Sequence, residues 1–91
     1  MAINIDYMMA MVEAYLSGKT PRYIFELDFQ TEILARYKKM AREHREYAEL
    51  FYDLLSEGGV DAGDGLSDIE FKRLIRSQYN VVKSIDGEGF F

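Results

Sequence analysis

No glycine or proline interrupts Arg22 to Glu57, and along that stretch three series of residues run in parallel at sevenfold spacing. The first is Tyr23, Gln30, Tyr37, His44 and Phe51, and the second is Leu27, Leu34, Ala41, Ala48 and Leu55. Ile33, Met40, Tyr47 and Leu54 form the third. A repeat of this kind belongs to a helix that buries one continuous stripe. As a single helix the segment is about 55 Å long at ~1.5 Å per residue, whereas a compact chain of this length has a radius of gyration of ~12 Å. Either the helix bends or splits, or a second chain covers its far end. Capping side chains cluster at Asp28–Thr31, so a split is expected near 28–31, leaving a piece from about Thr31 to Glu57 that runs ~40 Å.

The flanking segments read as shorter helices, which makes the fold class all-α: three helices, the central one longest, in a single domain over 1–91. Asn4 or Asp6 caps a first helix over about 6–17, with Ile5, Met8, Met9, Val12, Tyr15 and Leu16 spaced by threes and fours until Ser17-Gly18 stops it. Thr20-Pro21 places a capping hydroxyl before a proline at a first helical position, so the central helix is expected over about 21–57. Gly58-Gly59 ends it, and 58–66 is an acidic glycine-rich loop. Ser67 with Glu70 forms a capping box, and Leu66 can staple onto Phe71, so a last helix runs over about 67–83. The remaining residues 84–91 are a tail, or one arm of a short hairpin turned at Asp86-Gly87, whose Phe90 and Phe91 dock on the core.

With 48% hydrophobic residues the chain holds enough apolar surface to offset its conformational entropy, which excludes intrinsic disorder. It has no cysteine, so disulfides, thiolate chemistry and the common structural zinc sites are absent. A net charge of −5 opposes direct binding to nucleic acid or to anionic membranes, and no apolar run approaches the ~20 residues needed to span a bilayer. The expected location is the cytoplasm.

Chemistry has no visible constellation. His44 is the sole histidine and sits in the heptad seam, with alanine at 41 and 48 where a metal motif would place a ligand, so it reads as structural. Asp61 to Phe71 resembles a calcium loop only superficially, because aligning Gly65 with the loop's glycine puts Val60, Ala62 and Phe71 at ligand positions. The serines lie in cap or solvent positions and share one distant imidazole. The chain is therefore read as non-enzymatic, with no cofactor and no metal.

Charge segregates sharply. Arg36 to Arg45 holds five bases (Arg36, Lys38, Lys39, Arg42, Arg45) and one acid, Glu43, whereas Glu46 to Glu70 holds eight acids and no base. On a continuous helix Glu46, Glu49, Asp53 and Glu57 share one face, with Lys38, Arg42 and Arg45 near the same line. That polarity opposes the helix macrodipole, so local energetics do not explain it. It points to a partner surface comprising Arg42, Arg45, Glu46, Glu49, Tyr52, Asp53, Glu57, Asp61 and Asp64. One reading is a self-associating scaffold or regulatory module, an antiparallel homodimer that sets basic half against acidic half. The alternative is an acidic mimic of nucleic acid that occupies a basic groove on another protein, as phage-encoded inhibitors of host defence and some antitoxins do.

Overall fold

The computed structural model describes residues 2–87. Within them the chain forms α1 (Ile3–Leu16), α2 (Arg22–Glu43), α3 (Arg45–Phe51), a π-helix (Tyr52–Asp61) and α4 (Asp68–Gly87). The fold is all-α, with a long central helix flanked by shorter ones, and its radius of gyration is 12.2 Å. The central helix is broken, but not at 28–31, where α2 is continuous. Thr31 instead turns its hydroxyl onto the Leu27 carbonyl one turn back, at 3.0 Å, and the ladder runs on.

The break is at His44, whose backbone is extended at φ −163° and ψ 101°. Two caps hold it open. The His44 ring Nδ1 accepts from the Tyr47 amide at 3.2 Å and so caps the start of α3. The neighbouring Glu43 carboxylate reaches the start of α1, where it accepts from the Asn4 amide at 2.8 Å, the Ile5 amide at 2.9 Å and the Asn4 side chain at 2.7 Å. Hence α1 is capped neither by Asn4 nor by Asp6. It begins earlier, at Ile3, because a carboxylate from another helix satisfies its free amides and meets its positive dipole end. With the corner at 43–45 the charge order ceases to be anomalous. The basic cluster ends α2, and Glu46 lies in the first turn of α3, both favourable placements.

Several boundaries shift for identifiable reasons. Pro21 is the residue before α2 rather than its first, and no side chain caps that end. Gly58 and Gly59 lie inside the π-helix, not at a stop, and the loop begins only after Asp61. These glycines serve close packing. A Cβ on Gly59 would sit 3.1 Å from Ile75 Cδ1, and one on Gly63 would sit 2.7 Å from Phe71 Cδ1, so α4 rests directly on bare backbone. Among the described residues only Gly18, which closes α1, takes a left-handed conformation, at φ 86°. Ser67 caps α4 as expected, accepting from the Glu70 amide at 3.2 Å. That helix continues past Lys83 to Gly87, which removes any hairpin arm over 81–87, while Phe90 and Phe91 lie outside the described residues.

An aromatic ladder joins the elements. Tyr15 stacks on Phe25 at 4.5 Å between centroids, Phe25 leans on Phe29 at 5.5 Å, and Phe29 meets Phe51 at 6.1 Å, linking α1, α2 and α3. Phe71 of α4 closes on Tyr15 at 5.8 Å. The loop before α4 is held from α2 by Arg22, whose guanidinium donates to the carbonyls of Gly63, Asp64 and Leu66 and to Asp68, and lies 4.2 Å over the Phe71 ring.

Burial tends to raise the Glu43 pKa, but the amide donations from Ile5 and Asn4 outweigh it and hold the carboxyl below its ordinary value of 4.5. A lowered native value means that the stabilisation is complete above pH 4.5 and is lost as pH falls through that lowered value. Glu43→Gln should therefore cost about 1–2 kcal/mol at neutral pH and make stability fall less steeply on acidification, measured by denaturant titration at several pH values. An acid profile identical to that of the parent would contradict this role.

Candidate functional site

Over α2 the series through Ile33 and Met40 lies in the core as expected, whereas those beginning at Tyr23 and Leu27 do not. Helix positions advance by ~100° per residue, which puts Phe25, Phe29, Ile33 and Met40 in one sector and Tyr23, Leu27 and Leu34 well around the helix from them. The first four are buried, while Tyr23 is 72% exposed, Leu27 66% and Leu34 77%. From Met40 onward the expectation holds, with Tyr47, Ala48, Phe51 and Leu55 all fully buried. The Tyr23 and Leu27 series mislead over α2 because Phe25, Phe29 and Ile33 on the opposite side of the same helix take the core.

The outer face of α2 is thus an apolar strip of Tyr23, Ile24, Leu27 and Leu34 with exposed Thr31 and Ala35 beside it, passing into Lys38, Lys39 and Arg42 toward its end. Beside Leu34 lies an open groove of about 350 Å³ between α2 and the π-helix, lined by Gln30, Ile33, Leu34, Tyr52, Ser56 and Asp61. None of the apolar residues of this strip was among the predicted partner contacts, although Arg42 at its end and Tyr52 and Asp61 in the groove were. The signal that could have found it was available. Phe25, Phe29 and Ile33 form an alternative apolar line at spacings of four, and one helix with two apolar lines must expose one of them.

The predicted partner residues fall on several elements. Arg42 is exposed near the end of α2, and Arg45, the first residue of α3, is exposed and lies 3.6 Å from Glu49. Glu46 and Glu49 on α3, Asp53, Glu57 and Asp61 on the π-helix, and Asp64 in the loop are all exposed. Tyr52 is half-buried, edge-on to Tyr37 of α2 at 5.2 Å. The acids therefore form a ridge, but not the far half of a straight rod, because the corner folds it back beside α2. Tyr37 shows this proximity: burial raises its hydroxyl pKa, Glu49 and Asp53 raise it further, and Arg45 opposes them.

Among the described residues no group of three or more His, Cys, Asp or Glu side chains is placed to hold a metal ion, and no helix is long and apolar enough to cross a membrane. No family model, curated protein or solved structure matches the chain.

Because the strip lies outside the core, Leu34→Ala should change folding stability by less than about 0.5 kcal/mol. Phe51→Ala should cost about 3–5 kcal/mol, enough to unfold a domain this small. Urea titration of both variants at a protein concentration where the chain is monomeric measures the contrast, and comparable losses would place Leu34 in the core after all.

Proposed function

We propose that this protein is a non-enzymatic helical interaction module that self-associates and serves a scaffold or regulatory role. The observation that carries the reading is the solvent-facing Tyr23, Leu27 and Leu34 on a helix whose opposite side already packs a complete core. An apolar strip rimmed by Lys38, Lys39 and Arg42 has the make-up of a protein contact, an apolar centre with a polar margin. Self-association through this strip differs from pairing along one charged rod, since the rod is folded at His44.

A second reading rests on the ridge of Glu46, Glu49, Asp53, Glu57 and Asp61, all exposed on α3 and the π-helix. Such a ridge suits a basic groove on another protein, with binding that weakens as salt rises.

Size-exclusion chromatography with light scattering separates the two. The reading expects a dimer at about 100 µM, the concentration range suited to a modest contact, and a monomer for Leu34→Glu under the same conditions. The double change Glu49→Lys with Asp53→Lys should leave the dimer intact. A parent monomer at every concentration would overturn self-association and leave the acidic ridge as the surface to pursue.

A further inference from the structure

We infer that the cavity at the start of α2, between the end of α1 and the first turns of α4, binds a small organic carboxylate through the Tyr15 and Thr20 hydroxyls and the Lys72 ammonium. The site is separate from the apolar strip and stands whether or not the chain self-associates.

The cavity holds about 340 Å³ and is bordered by Tyr15, Thr20, Pro21, Arg22, Asp68 and Lys72. Tyr15 is 3% exposed, yet its hydroxyl makes no hydrogen bond among the described residues. A tyrosine hydroxyl withdrawn from water usually finds a partner, because an unmet donor is costly to bury. Every fully buried side-chain nitrogen or oxygen among the described residues has one, so the Tyr15 hydroxyl is the part of that side chain that still opens onto the cavity. Its electrostatic surroundings agree. Burial raises its pKa above the ordinary 10.0, Arg22 opposes the rise, and Asp68 and Glu26 add to it, which sets the hydroxyl on the Arg22 side of the ring. At neutral pH it is protonated and can donate.

The start of α2 borders the same space. The sequence predicts a Thr20 cap there, but no side chain caps this end, and its first turn holds no acid. The amides of Arg22, Tyr23 and Ile24 have no acceptor among the described residues, so the positive end of a 22-residue helix is left unmet. Among the same residues the Thr20 hydroxyl makes no hydrogen bond, and Lys72, whose Nζ lies 5.2 Å from the centre of the Tyr15 ring, has no ion pair. Donors gathered at a helix start suit an anion.

Charge decides which anion. The Arg22 guanidinium is engaged by loop carbonyls, by Asp68 at 2.9 Å and by Glu26 at 3.2 Å, so it closes the wall and offers a ligand no donor. Across Arg22, Lys72, Asp68 and Glu26 the side-chain charges cancel, leaving the helix end and the hydroxyls to favour a single negative charge. Exposed Asp68 would repel a phosphate dianion. A carboxylate on a short apolar chain that lies against Pro21 and Ile69 meets these limits.

Propionate titrated into the isotope-labelled full chain at constant ionic strength, followed by amide chemical shifts, tests the site. The expected result is saturable shifts at Thr20, Arg22, Tyr23 and Lys72 in the millimolar range, none with the neutral isostere propionamide, and weaker binding of inorganic phosphate. Tyr15→Phe should raise the dissociation constant at least about tenfold, as for loss of a hydrogen bond to a charged group, and Lys72→Met should weaken binding as well. Because the hydroxyl bonds to nothing within the chain, Tyr15→Phe should leave the urea midpoint unchanged or higher. Shifts that fail to saturate at those amides, phosphate that binds as tightly as propionate, or propionate binding undiminished in either variant would overturn the site. A lowered midpoint for Tyr15→Phe would show that the hydroxyl has a partner inside the chain and would overturn it too.

Discussion

The carboxylate of Glu43 on the first turn of α1 is the contact on which the remaining architecture depends. A helix start exposes amides that need acceptors and a partial positive charge that favours an anion; Asp6 adds negative charge in the first turn of α1, but no side chain of that helix caps its free amides. Glu43 supplies both acceptors and charge, but only if the helix carrying it ends there. The next residue, His44, leaves the helical conformation and gives its ring nitrogen to Tyr47, so one helix ends and another begins within a single residue. Two caps placed back to back thus turn a segment that would otherwise run as one rod.

Once the corner is made, the core assembles around it. The chain beyond His44 folds back so that Phe51 reaches Phe29, while Tyr47 sends its buried hydroxyl toward the Val82 carbonyl of α4 at 3.3 Å. Bare glycine backbone on the π-helix lets α4 approach, and Gln78 of α4 donates to the Gly58 carbonyl at 3.1 Å. Arg22 ties the intervening loop to α2 through four acceptors and an aromatic face, with much of its side chain withdrawn from water. At the other end Tyr79 and Lys83 converge on Glu13, whose pKa is lowered first by the Tyr79 hydrogen bond and then by that of Lys83. These links join separate elements, and the packed result holds α2 with its Phe25 line inward and its Leu27 line outward.

Much of the fold was legible in the sequence, because periodicity and punctuation act locally. The apolar spacing of α1, its closure at Gly18 and the Ser67 cap of α4 all follow from short-range rules. The corner was not legible in the same way, since its main partner lies 39 residues from Glu43. It did leave a trace. A change from basic to acidic between Arg42 and Glu46 opposes one long helix, yet suits the end of one and the beginning of the next, and the one acid of the Arg36–Arg45 run, Glu43, sits there beside the chain's one histidine. The surface was harder to read. Two apolar lines on α2 compete for the core, and the one in heptad register extends smoothly into the truly buried Ala48 and Leu55, which made it the more persuasive. The acidic ridge was visible as composition, but its position beside α2 depends on the corner.

Residues 22–57 fold back at His44 rather than running straight, and a distance across the turn distinguishes the two. Gln30 and Asp61 line the same groove in this structure, whereas a continuous helix would place them about 46 Å apart at 1.5 Å per residue. Spin labels on a Gln30→Cys, Asp61→Cys chain, diluted with unlabelled protein so that only pairs within one chain are read, give this distance by double electron–electron resonance. The folded corner predicts a short separation at the lower edge of what such labels resolve. A distance distribution centred near the straight-helix value would contradict it, and with it the placement of every surface described on α2.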